Sequence, residues 1–463
     1  MRSWMTLVVP MLLSLSSAPL AAADGDLDPT FWGDGRVILS GTGDYEVNAV
    51  LAAPDGRLVV AGTHDPGDGV LEWFWWTVAD AGSPPPSVCY FKPPGAATQG
   101  RAEAATFDTS GRLLLAGSAL YDFNRLAMAR FSYPECVLDQ DFNVDGYWNV
   151  DLPGGIEALT AIAVHPTNGR IAVGGYQQDV FSSEYDMVVA VISDTGSLYS
   201  GFSENGWLTL DFADAGYDDF VARVAFDNAG GLFAAGTTDY TGDGADADWA
   251  IAKFDSSGAL DPSFDGNGIR ALAYDLGAPD YRLDELFGLA FDPRSGNLVL
   301  AGKAQSTVGY SLAIARLLPS GALDPTFSGD GKVDLAFGNA SSPAQEVAVD
   351  GLGRILVAGY FRYPGNDADF FAMRYSATGA LDPTFGFGGL SLIPFDAGPD
   401  DHDDDYGWAM AMQGGRVVVA GGVEVNAAGD YRVGLARLDV GLIFADGFGS
   451  GGFSLWSSST GAL

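Results

Sequence analysis

The sequence predicts an all-β fold: a seven-bladed β-propeller of four-stranded antiparallel units, with a period of about 60 residues. Three observations predict it. A glycine-terminated strand motif recurs seven times. A turn motif, LDPTF, recurs at nearly the same spacing. Between them lie short apolar stretches separated by glycine-bearing turns, with no helical run.

The strand motif comes first. "DGRLVVAG" ends at Gly62, "SGRLLLAG" at Gly117, "NGRIAVGG" at Gly175 and "GGLFAAG" at Gly236. "GNLVLAG" ends at Gly302, "GRILVAG" at Gly359 and "GRVVVAG" at Gly421. Four antiparallel strands in about 60 residues is the size of a propeller blade. A β-solenoid coil is far shorter, and a sandwich needs about 100 residues. Small residues in the "VVAG" and "AIAR" strands suit blades that crowd around an axis.

One unit is clearest at 321–375. "GALDPTFSGDG" carries turn chemistry: Pro325 fixes φ, Asp324 is pushed to extended geometry, and its carboxylate reaches backbone two residues on. "KVDLAF", "QEVAVD", "RILVAGY" and "DFFAMRY" follow as four strands. LDPTF-type segments stand at 25–31, 258–264, 321–327 and 379–385. Degenerate copies are "AGSPPPSVCYF" at 81–91, "CVLDQDF" at 136–142 and "GSLYSGF" at 196–202. The motif is expected to be a corner joining one four-strand unit to the next. No good copy follows "YRVGLARLDVG" at 431–441, so the copy at 25–31 is expected to close the ring there.

Residues 1–23 read as a signal peptide: Arg2, an apolar run, then Ala21-Ala22-Ala23 with cleavage after Ala23. The run is too short and interrupted to span a membrane, and no later stretch of about 20 apolar residues occurs. The domains are therefore a leader at 1–23, a propeller at 24–441 and a tail at 442–463. The product is expected to be secreted, periplasmic or at the cell surface. Its two cysteines, Cys89 and Cys136, are expected to pair there as a disulfide. The net charge of −37 argues against nucleic acid and anionic membrane surfaces as partners.

The segments "LDPTFxGxGKV", "DGRLVVAG" and "FAMARL", in that order along the mature chain to about 441, resemble the delta-60 repeat family of bacterial exported proteins. The resemblance implies a β-propeller-like protein of poorly defined function and carries over no catalytic residue. The tail "LIFADGFGSGGFSLWSSSTGAL" resembles short endings found on some exported bacterial proteins.

Several residue sets invite a functional reading. A cation recurs in the fourth strand of the units, at Arg130, Lys253, Arg316, Arg374 and Arg437. A half-buried charge needs a partner, so each is expected to pair with the LDP corner. Acidic segments at 211–220, 275–285 and 396–407 are expected to share one face of the ring. Asp239, Asp243, Asp246 and Asp248 surround two glycines and suit calcium, which takes several oxygen ligands on a flexible loop. Asp141, Asn143 and Asp145 have alternate spacing but lack the rest of an EF-hand loop. "EWFWWTV" at 72–78, Tyr147-Trp148 and Tyr406-Trp408 are candidate sugar-stacking rings, although most aromatics of a propeller pack blade on blade. His64, His165 and His402 have no metal-ligand spacing, and no G-x-S-x-G elbow, phosphate loop or dinucleotide fingerprint is present. The expectation is a non-catalytic binding or structural module for an extracellular glycan or protein. The alternatives are a lyase or hydrolase acting on polysaccharide, or a calcium-dependent adhesin. No cofactor beyond calcium is indicated.

Overall fold

In the repeat units, strands that alternate apolar residues and end in small ones can bury both faces only between two neighbouring sheets, and a ring of blades supplies that environment. The computed structural model describes residues 23–441 except 80–86, 97–99, 122–123, 154–156, 179–183, 213–217, 240–245, 275, 278–281, 308, 338–341, 364–366, 398–403 and 427–428. Seven sheets pair four strands each in order, and all of these pairings are antiparallel. The fourth blade carries one extra short strand, Arg282–Leu283, parallel to Asp246–Phe254. No α-helix occurs among the described residues. Seven hydrophobic clusters each draw on two adjacent blades, so the core is a ring of interfaces.

The fifth blade shows the plan: Glu285–Phe291, Leu298–Ser306, Gly309–Leu317 and Lys332–Leu335. The first strands of the seven blades are Asp44–Ala52, Gly100–Phe107, Glu157–Val164, Asp219–Phe226, Glu285–Phe291, Ala344–Val349 and Asp405–Gln413. Each touches the next around the ring, and the last touches the first. The seventh blade is completed by the N-terminus. Arg36–Leu39 pairs with Tyr431–Asp439, and Leu27 bridges Leu438. The ring closes as expected.

The phase of the repeat differs from the sequence reading. "KVDL" is not the first strand of a new blade but the outer strand of the fifth, paired with Gly309–Leu317. LDPTF therefore turns within a blade, between its third and fourth strands. A short turn can only reverse the chain onto an adjacent strand, and Leu317 bridges Leu323 across it. The blade-to-blade crossings are made by the acidic segments instead, since an outer strand must return to the axis.

The corner explains the recurring cation. Asp324 Oδ1 accepts from the Thr326 N–H (2.9 Å) and hydroxyl (2.7 Å), and Oδ2 accepts from Arg316 Nε at 2.8 Å. The guanidinium lies over the Phe327 ring. Arg130–Asp139, Lys253–Asp261, Arg374–Asp382 and Arg437–Asp28 repeat the pair at 2.8 to 2.9 Å. Corners also latch to each other. The residue after the corner aromatic has φ near +50° in Asn143, Ser203, Asp265 and Ser328. Its N–H donates to the next blade's corner, at Thr195, Ser257, Ser320 and Thr378 respectively. Between the first and second blades, where the motif is degenerate, Cys89 and Cys136 form a disulfide with Cα atoms 5.5 Å apart.

Candidate functional site

The glycine of the strand motif positions the site. In all seven blades the first strand has a β-bulge where it pairs with that glycine. There the two backbones approach closely. A Cβ at Gly62, Gly117, Gly175, Gly236, Gly302, Gly359 or Gly421 would overlap a carbonyl oxygen of the first strand or of the residue just before it. The extra residue of each bulge is Asn48, Glu103, Thr160, Ala222, Phe287, Gln345 or Trp408. All seven line one cavity of about 810 Å³ on the ring axis. One repeat signal thus delivers one variable side chain per blade to a common central space.

The cavity mixes rings with carboxylates. Phe220, Phe287 and Trp408 supply aromatic surface; Glu46, Glu103, Asp218, Asp239 and Glu285 supply acidic groups. Glu46 pairs with Arg101, and Lys303 with Glu285 at 3.0 Å. Burial pushes the Glu103 carboxyl up to about 7; the charge of Glu46 adds to this and that of Arg101 opposes it. Asn48 donates to the Ala102 carbonyl at 2.8 Å, and Thr160 to that of Val221, so these bulged side chains also join neighbouring first strands. Deeper on the axis, Arg223 of the fourth blade reaches Glu346 of the sixth at 3.0 Å. This pair stands where the large cavity gives way to one of about 60 Å³, lined by Glu103, Arg223, Glu346 and Met410 among others.

The residues singled out from sequence distribute unevenly. Of the candidate rings, Trp73, Trp75, Tyr147 and Trp148 are buried between blades, whereas Trp408 faces the cavity and stacks on Tyr406 at 5.7 Å. Asp239 lines the cavity and Asp246 pairs with Arg282 at 3.1 Å, while Asp243 lies outside the described residues. Among the described residues, no three His, Cys, Asp or Glu side chains are grouped to hold a metal ion. His64 is buried between Tyr45 and Tyr90, with Glu72 and the Thr42 carbonyl at its two nitrogens. His402 lies outside the described residues. Residues 1–22, most of the expected leader, and 442–463, the expected tail, do so as well. No helix among the described residues is long and apolar enough to cross a membrane.

Sequence reading missed Glu103, Arg223, Phe287 and Glu346. The one available signal was the break in period-2 alternation upstream of each glycine, as in "RAEAATF" and "DFVARVAF", which marks the bulge.

The family described as "Domain of unknown function (DUF5122) beta-propeller" matches residues 230–264, 294–327 and 353–385. Each match runs through a second strand, a third strand and an LDP corner. No curated protein matches the chain. Among solved structures, the chain is similar to the polysaccharide lyase Uly1, with 10% identity, 89% of this chain and 92% of that chain covered, and a TM-score of 0.49. It is similar also to Penicillium chrysogenum α-L-arabinanase complexed with arabinobiose: 12% identity, 88% and 98% coverage, TM-score 0.41. A third is Sqt1 from Chaetomium thermophilum: 14% identity, 90% and 99% coverage, TM-score 0.45.

Proposed function

We propose that this protein is an exported ligand-binding propeller whose site is the larger axial cavity, and that its ligand is a glycan. One observation carries the reading: seven bulged side chains, one from each blade, converge on a single space that pairs aromatic faces with carboxylates. Rings receive the C–H faces of a sugar, and carboxylates accept from its hydroxyls. The cavity's volume falls in the usual range for small-ligand sites. Calorimetric titration with a glycan panel tests this. Binding is expected in the unmodified protein and weakened by Trp408→Ala and Glu103→Gln. Binding that neither variant weakens, or none at all, overturns the reading.

A second reading has its own support. A carboxyl pushed up to about 7 holds and releases a proton at neutral pH, as a general acid or base must. Polysaccharide depolymerisation lost in Glu103→Gln with binding retained would favour an enzyme.

A further inference from the structure

Two junctions of the ring carry aromatic pairs where the other five do not. The relevant positions are the residue after the motif glycine in one blade and the residue two before the bulge in the next. At the third-to-fourth junction these are Tyr176 and Phe220, with ring centres 5.3 Å apart. At the sixth-to-seventh they are Tyr360 and Tyr406, 4.8 Å apart. The same positions elsewhere hold Thr63 and Arg101, Ser118 and Ala158, Thr237 and Glu285, Lys303 and Pro343, and Gly422 and Glu46. Packing between blades therefore does not require rings there.

Both pairs extend into larger clusters that reach the cavity. Tyr185 adds to the first, 5.3 Å from Tyr176 and 5.6 Å from Phe220, and Phe220 lines the cavity. Tyr431 and Trp408 add to the second: Trp408 stacks on Tyr406 within 3° of parallel and lines the cavity too. All seven rings are half-buried. Strand equivalence puts both clusters on the same face of the ring, and three blades' separation in seven puts them on nearly opposite sides of the axis.

We infer that the two clusters are outer subsites for one linear, uncharged glycan that lies across the channel mouth, with the axial cavity as its central subsite. This rests on the glycan reading above and extends it to chain length and charge. Pyranose units stack on ring faces, so rings on both sides of a polar centre suit a chain rather than a single sugar. The charge of −37 and the carboxylates Asp218 and Asp404, one beside each cluster, disfavour polyuronates.

The test is titration with β-1,4-gluco-, β-1,4-manno- and β-1,3-gluco-oligosaccharides from disaccharide to octasaccharide, beside oligogalacturonates of equal length. Tyr176→Ser and Tyr360→Thr place at each junction a residue type the repeat itself uses there, and their melting curves check folding. Affinity is expected to rise with length for an uncharged series. Each variant is expected to lower octasaccharide affinity about tenfold while leaving the shortest binder unchanged. Equal affinity at all lengths, or octasaccharide binding untouched by both variants, overturns the extended site and leaves the cavity reading standing. Tighter binding of oligogalacturonates overturns the charge assignment. Failure of every series to bind overturns both readings.

Discussion

Arg437 Nε lies 2.8 Å from Asp28 Oδ2, although 409 residues separate them in the chain. The N-terminal GDLDPTF thus supplies the corner of the last blade, and a second cation, Arg416, reaches the same oxygen at 2.7 Å. Burial would raise the Asp28 carboxyl, but its bonds from Thr30 and the charges of Arg437 and Arg416 hold it below the usual range. Asp261 is more open, and the bond from Lys253 holds it at about 2.

The closing corner should therefore outweigh its homologue. Asp28→Asn takes the carboxylate from the buried Arg437, leaves Arg416 with Asp439 at 3.3 Å, and should cost about 3–5 kcal/mol. Asp261→Asn, at a half-buried Lys that keeps Asp227 at 3.6 Å, should cost less, about 1–2 kcal/mol. Urea unfolding of the two variants decides; equal losses would mean that ring closure depends little on this pair. Because the corner carboxylates are depressed, their stabilisation is whole above the ordinary Asp range and disappears as pH falls through their folded values.

Gly117→Ala tests the bulge. Its new Cβ would overlap the Arg101 carbonyl oxygen, so the first strand of the second blade must shift. A loss of about 1–3 kcal/mol is expected. Tm measured by calorimetry should fall; an unchanged Tm would show that the strand relaxes freely and that the recurring glycine has another cause.

The disulfide joins residues 47 apart across the first two blades. On the chain-entropy account its loss should cost ~4 kcal/mol. Cys136→Ser and chemical reduction should lower the urea midpoint alike. A variant as stable as the parent would show that Ser87–Phe91 is held by its ladder alone.

Glu157 predicts an alkaline weakness. It is buried, and one oxygen accepts from the Leu152 N–H at 2.9 Å. Burial pushes its carboxyl up to about 8, partly offset by that bond. The folded state thus holds the proton more tightly than the unfolded chain. The associated stabilisation is whole at low pH and is lost as pH rises from the ordinary Glu range through about 8. Glu157→Gln should flatten that decline, gaining of the order of a few kcal/mol above it. Melting curves of both proteins on either side of this range give the answer, and parallel profiles would refute it.

The blade count, the four strands per blade, the closing role of 25–40 and the cation–corner pairing were all legible in the chain. Each is a local demand that the repeat states several times over: Pro325 and Asp324 make a turn wherever they recur, and a half-buried Arg316 needs the nearest carboxylate. The phase of the blades was not legible, because "KVDL" looks the same whether it begins a blade or finishes one. Only the ladder to Gly309–Leu317 decides that.

What the sequence by itself determined is thus the ring, since periodic apolar strands with small residues have few other ways to bury both faces. What only the tertiary structure decided is the content of its axis. Asn48, Glu103, Thr160, Ala222, Phe287, Gln345 and Trp408 share no chemistry and no spelling. They become one set because seven bulges turn them toward the same point, and that convergence exists only once the first strands stand side by side around the channel.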